Sequence, residues 1–239
     1  MNARTRFYRE VSIQPPGEGE RASGYAILLD GKPIRTPAGA PLLLPNAALA
    51  EAVAEEWRVQ EEKIRPETML LTRLANAAID QVAPNREAIV GQILAFARSD
   101  LVCYRAEAPE ALLARQARAW DPLIEWARAR YGASFKSAAG IAFVEQPKDA
   151  LEALERAMAG QGDHALAGLH AAATLLGSAI IALALLEGRL GADEAFAAAE
   201  LDEIYQSEKW GRDHDAQMRF RRKAEELSEI ARFFRLLRE

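Results

Sequence analysis

The sequence predicts an α+β protein. A small β-rich domain of hairpins over residues 1–45 packs on a larger all-helical domain over residues 46–239. Three observations predict this. The first 45 residues carry short apolar–polar alternation broken by Pro and Gly. From Asn46 onward the apolar residues recur at helical spacing. A run without Asp, Glu, Lys or Arg, from Ala165 to Leu186, offers the apolar centre that a helical domain requires.

Phe7 to Ile13 alternates as a half-buried strand does, and Pro15-Pro16-Gly17 ends it. Gly17 to Gly24 reads as a polar loop. Tyr25 to Leu29 forms the next strand and runs into Asp30-Gly31, a hairpin signal because a type I′ turn needs positive φ at both central residues. Lys32 to Thr36 returns, with Pro33 confining it to an edge, and Pro41 to Leu44 adds a short strand. A β unit this small needs a surface beneath it. Asn46 caps the first helix, whose Leu49, Val53 and Trp57 mark one buried face, and Trp57 is the expected anchor of the β unit. Pro66 separates a second run carrying Leu71, Leu74, Ala78, Ile79 and Val82. Pro84 suits the first turn of a third helix through Ile89, Ile93 and Phe96. Pro109 opens a fourth, with Trp120 as a second structural anchor, and Pro122 either kinks it or restarts it with Asp121 as cap. Residues 148–159, 163–187, 193–210 and 213–238 also read as helical. Asp163 and Asp193 stand at cap positions, and Gly188 and Gly211 at helix C-termini.

Composition narrows the function. The 239 residues are 50% apolar and 27% charged, with Lys+Arg 30 against Asp+Glu 35, a net charge of -5. That balance argues against a general nucleic-acid or anionic-membrane binder, both of which need excess positive charge. A single cysteine, Cys103, excludes internal disulfides and cysteine-based zinc sites. Ala165–Leu186 is long enough to span a bilayer, which takes about 20 residues. Its many alanines, with His170, Thr174 and Ser178, fit a single buried central helix better. The N-terminus shows neither a signal-peptide nor a transit-peptide pattern, so a soluble protein of a reducing compartment is expected.

Motifs for chemistry are scarce. There is no G-x-x-x-x-G-K-[ST], H-E-x-x-H, G-x-S-x-G or C-x-x-C, and Gly17-Glu18-Gly19 is a poor phosphate loop, so no cofactor and no metal is expected. Asp213-His214-Asp215 reads as a charged helix start, because adjacent helical side chains diverge by about 100°. Cys103 reads as a buried thiol among Leu101, Val102 and Tyr104, and His170 as a hydrogen-bonded core histidine. The basic stretch Arg219 to Lys223 is followed by Glu225, Glu226 and Glu229 and reads as a solvated helix face.

Leu201 to Gly211 is the most informative segment. On a helix, Leu201, Ile204, Tyr205 and Glu208 form one row, and Glu208 at its end wants a partner. Glu203, Gln206 and Trp210 form a second row that mixes a carboxylate, an amide and a large aromatic, as recognition surfaces do. Paired-carboxylate catalysis by Glu203 and Glu208 is weakened by their different directions on the helix.

At this point the chain resembles a known family. Leu29 to Pro37, Pro41 to Pro45, Glu56-Trp57, Leu71 to Asp80, Asp100 to Arg105, Gln116, Trp120 to Leu123 and Glu203 to Gly211 occur in its order and spacing. The family is that of assembly chaperones for the catalytic head of ATP synthase, the alpha-subunit-binding kind. The resemblance spans roughly residues 7–215. It implies a β-rich domain on a helical domain and a non-enzymatic role: holding the unassembled alpha subunit until beta arrives. It also implies a functional carboxylate at Glu203 or Glu208, with Gln206 and Trp210 in the partner-binding set. Mitochondrial members carry transit peptides, so a bacterial, cytoplasmic member, monomeric when free, is expected. The rival is a helical nucleic-acid- or protein-binding module of another partner.

Overall fold

The computed structural model describes residues 5–17, 24–140, 142–211 and 213–239. The loop reading of Gly17–Gly24 therefore falls largely outside the described residues. Four short strands form the N-terminal sheet: β1 (Val11–Gln14), β2 (Tyr25–Leu29), β3 (Lys32–Pro33) and β4 (Leu43–Leu44). β2 is its spine, pairing antiparallel with β1 along its length and with β4 and β3 at its two ends. The β2–β3 turn has φ 48° at Asp30 and 75° at Gly31, as the hairpin signal requires. Phe7 is exposed and precedes the sheet; regular pairing starts only at Val11.

The helices follow as α1 (Ala47–Arg58), α2 (Leu70–Ala77), α3 (Arg86–Arg98), α4 (Glu110–Tyr131), α5 (Lys148–Ala159), α6 (Asp163–Leu176), α7 (Ala179–Leu186), α8 (Ala192–Ala199), α9 (Leu201–Trp210) and α10 (His214–Arg238). A two-stranded parallel pair joins β5 (Tyr104–Arg105) to β6 (Ala138–Ala139). The strand-to-helix change at residues 45–46 stands where the sequence marks it. By contacts, however, the chain forms two compact units. The first runs through Asn85 and adds Asp163–Gly168 and Arg232–Glu239; the second holds Arg86–Gly162 and Leu169–Ala231.

In the first unit, α1 packs on β1, β2, β4 and α2. Asn46 caps α1, its Oδ1 accepting from the Leu49 amide at 2.8 Å while its Nδ2 donates to the Leu236 carbonyl. Leu49 and Val53 are fully buried. Trp57 is half-buried in a cluster with Tyr8, Leu29, Ile64 and Met69; the Tyr8 hydroxyl donates to its carbonyl at 2.6 Å, and its indole Nε1 is buried without an acceptor. Glu56, also buried, turns its carboxylate onto the start of α2: Oε1 accepts from the Leu71 amide at 2.8 Å, Oε2 from the Thr72 amide at 2.7 Å. α2 continues through a π-helical turn, Ala78–Val82, where Asp80 accepts from the Thr36 hydroxyl at 2.6 Å and the Ala38 amide at 3.0 Å.

The expected single helix over 163–187 is corrected to two. α6 ends at Gly177, in the left-handed region at φ 68°, and α7 restarts at Ser178. Every residue of α7 is buried, against α3, α4 and α8. A helix start in such a place has amide donors that water cannot reach. Ser178 Oγ accepts from the Ile181 amide at 3.0 Å, and the buried carboxylate of Asp100 accepts from Ser178 Oγ at 2.5 Å and from the Ile180 amide at 3.0 Å. Among the described residues no helix is long and apolar enough to cross a membrane.

Other details also differ from expectation. α4 runs unbroken through Pro122, so Asp121 does not restart it and instead receives Arg105 Nη2 at 2.6 Å. Gly162 and Gly191, rather than Asp163 and Asp193, hold the N-cap positions of α6 and α8. The helical stretch 193–210 is two helices. Cys103 is buried as expected, and its thiol is pushed up to about 12 by burial and by nearby Asp100.

Burial lifts the Asp100 carboxyl from 3.8 to about 6, against the opposing pull of Ser178 and the backbone amides. Folding therefore raises its proton affinity, so its protonation favours the fold. That contribution is fully present below the unfolded value and lost as the pH rises through about 6. Melting temperatures of the parent and Asp100→Asn proteins at pH 4, 5, 6 and 7 should show the parent's advantage shrinking with pH, by about 3 kcal/mol at most. Parallel curves would remove the titration from Asp100. For Trp57, replacement by Arg should lower stability by several kcal/mol, since it sets a charge in an apolar cluster. Trp57→Phe should cost much less, because the donor it deletes has no acceptor; thermal melts of the two variants check the ranking.

Candidate partner-binding surface

The α9 segment is held on one side by α4 and α8 and open on the other. Leu201 and Tyr205 are buried, Ile204 is partly buried, and Glu203, Gln206 and Trp210 are exposed, Trp210 at 83%. The apolar row and the mixed row thus face as the helical spacing predicts.

Four side chains, those of Trp120, Gln116, Arg115 and Lys223, make the contacts around α9. Trp120 is 1% exposed, and its indole Nε1 donates to the Ala198 carbonyl at 2.8 Å, tying α4 to the end of α8. Gln116, one turn earlier on α4 and equally buried, is a two-ended bridge: Oε1 accepts from the Ala106 amide at 2.8 Å and Nε2 donates to Asp202 Oδ1 at 2.8 Å. Arg115 Nη1 reaches both carboxylate oxygens of Glu208, at 2.9 and 2.8 Å. That hydrogen-bonded guanidinium holds the Glu208 carboxyl below the usual carboxylate range. Lys223 of α10 pairs with Glu200, just before α9. The Tyr205 ring lies near two cations, Arg115 at 5.2 Å and Lys209 at 4.6 Å from its centroid.

Glu208 thus finds the partner its position called for, though half-exposed rather than interior, with side-chain exposure of 49% beside 45% for Arg115. The structure groups Glu203, Gln206 and Trp210 on one face and assigns Glu208 to an intramolecular pair. Trp120 is a core anchor. Among the described residues, the side chains of Glu203, Gln206 and Trp210 make no hydrogen bond or ion pair. Sequence reasoning missed Arg115, Asp202 and the bridging role of Gln116. The one available signal was the partnerless look of Glu208, which named no residue on another helix.

Elsewhere, Arg221 pairs with Glu225 at 2.8 Å and Lys223 with Glu200, so two cations of the basic stretch are engaged within the protein. Asp213 caps α10, accepting from the Ala216 amide at 2.7 Å, instead of joining a ligand set. His170 is half-buried, and burial lowers its pKa. Arg35 donates to the Gly39 carbonyl at 2.7 Å, inside its own loop.

Residues 5–128 match the family described as ATP12 chaperone protein. The chain belongs to the ATP12 chaperone family. Its fold agrees with ATP12 from Paracoccus denitrificans at a TM-score of 0.90 and 41% identity, over 98% of both chains. A candidate chaperone from Agrobacterium tumefaciens, Atu1473, superposes at 0.88 with 43% identity, covering 96% of this chain and 84% of that one. The mitochondrial protein atp12 of Schizosaccharomyces pombe is 26% identical over 202 residues, 80% of this chain and 69% of its own length. As an ATP12 chain the protein is an ATP synthase assembly chaperone.

The clamp on α9 makes a graded expectation. Gln116→Leu should destabilise by about 1–3 kcal/mol, since it removes the acceptor of the partly buried Ala106 amide and the tie to Asp202 in one step. Glu208→Gln should change the melting temperature little, because a half-exposed ion pair contributes little in water. Equal melting losses in the two variants would overturn this ranking.

Proposed function

We propose that this ATP12 chaperone binds the alpha subunit of ATP synthase before its assembly with beta, and that Glu203, Gln206 and Trp210 form the contact row. One observation carries the reading. An indole 83% exposed projects from a helix that Gln116 and Arg115 of α4 hold through Asp202 and Glu208. A large aromatic on a rigid support loses little conformational freedom on binding, and such residues dominate interface energies.

An unassembled subunit exposes apolar area that its neighbour later covers, and such area drives aggregation. A chaperone surface of one aromatic and two polar groups is small and mixed, as transient interfaces are. The beta subunit, offering a larger apolar interface, then displaces the chaperone by competition without an energy-consuming step. The bacterial cytoplasm is the compartment this reading implies, and the free chaperone is a monomer. Catalysis has no part in it.

Capture of purified alpha subunit by the immobilised chaperone tests the proposal. Glu203→Lys should weaken capture more than tenfold, by charge reversal against a basic partner group, and Trp210→Ala by a similar factor through loss of the anchor. Both variants should melt with the parent, since neither side chain contributes to the fold. Undiminished capture by both would remove this row from the contact.

A further inference from the structure

The second unit also carries an open groove of about 370 Å³, which shares Arg115 and Leu201 with the support of α9 but none of the residues of the proposed contact row. Its lining is largely apolar, with Leu123 of α4, Leu190 before α8, and Ala197 and Leu201. Arg115 and Arg118, one turn apart on α4, stand along one wall, and Glu194 of α8 lies on the lining as well. Their charges are not equally available. Glu194 is turned to its own helix start, its Oε2 accepting from the Gly191 amide at 2.8 Å. Arg115 spends only Nη1 on Glu208, leaving Nε and Nη2 without an acceptor among the described residues. Arg118 is exposed and has no ion pair or hydrogen bond among them. An apolar trough edged by one idle and one half-used guanidinium is complementary to an aliphatic side chain with a carboxylate nearby.

The volume falls at the low end of small-ligand pockets, about 300–1,000 Å³. Such pockets bury most of their ligand, whereas this groove is open along its length and presents no buried polar group to orient a small molecule. A segment of a larger partner, which gains further area outside the groove, suits it better. We infer that the groove between α4 and α8 is a second docking element of the chaperone, which takes an acidic-aliphatic segment of its client, leucine-like side chains on the apolar lining and a carboxylate on Arg118 and Arg115. The inference rests on the client-binding reading of this unit, and Leu201, the first residue of α9, is among the residues that line the groove.

The probes are two short labelled helical peptides with leucines along one face, one carrying glutamates beside them and the other lysines, read by fluorescence polarisation at low and moderate salt. The parent protein should bind the Leu/Glu peptide at least about tenfold more tightly than the Leu/Lys peptide, with affinity falling as salt screens the arginines. Arg118→Glu, on an exposed unpaired side chain, should reverse or abolish the preference. Ala197→Phe, which fills the groove from an exposed position of α8, should abolish binding of both peptides. Equal binding of the two peptides, no binding of the Leu/Glu peptide, or undiminished binding by both variants would each overturn the inference. Alpha-subunit capture by the same proteins separates the two proposals. A parent that holds the Leu/Glu peptide but captures no alpha subunit leaves the groove standing and removes the client. Capture of alpha without peptide binding does the opposite.

Discussion

Two helices of this protein begin where water cannot reach them, and a carboxylate from elsewhere in the chain answers each. The first amides of a helix have no partner within it, and leaving them bare in a core costs more than most single contacts contribute. Glu56 meets the start of α2 and Asp100 the start of α7. The apolar packing of each unit depends on this arrangement, because α7 can be buried along its whole length only if its N-terminal donors are satisfied first. The positive end of the helix dipole adds to the attraction. Burial opposes it, and for Asp100 burial prevails.

The same constraint explains what the sequence did and did not disclose. Local chemistry was legible. Asp30-Gly31 dictates its turn through φ alone, Asn46 caps the helix it immediately precedes, and α5 occupies Lys148–Ala159 as its pattern marks. The division of Ala165–Leu186 was not legible, because an uninterrupted apolar run reads as one helix. Gly177 permits the break, but the group that makes a buried restart tolerable, Asp100, lies 78 residues earlier. The α9 surface shows the same split. Its two rows follow from helical spacing within ten residues, whereas the Arg115 partner of Glu208 is 93 positions away.

The segments that make the chain resemble its family are therefore mainly architectural. Glu56-Trp57 and Leu71-Thr72 contain one buried cap and its target; Asp100 to Arg105 contains the other, together with the strand that pairs with Ala138–Ala139. Gln116 and Trp120 are interior side chains of α4 that tie it to α9 and to the end of α8. Resemblance of this kind reports first that the scaffold is the same. The client surface proposed on α9 is a smaller set of residues carried on that scaffold, and Gln116 and Arg115 act on it by fixing where α9 lies.

One helix thereby divides its residues between two kinds of constraint. Asp202 and Glu208 are tied to Gln116 and Arg115, so what suits these two positions depends on side chains of α4. Glu203, Gln206 and Trp210 contribute nothing to holding α9 in place and are free to follow the surface of whatever they meet. On the proposed reading, within three turns of backbone one face follows the chaperone's own interior and the other a different polypeptide. A history of partner change would be written in every third or fourth letter of this segment, while the letters between stayed in step with α4.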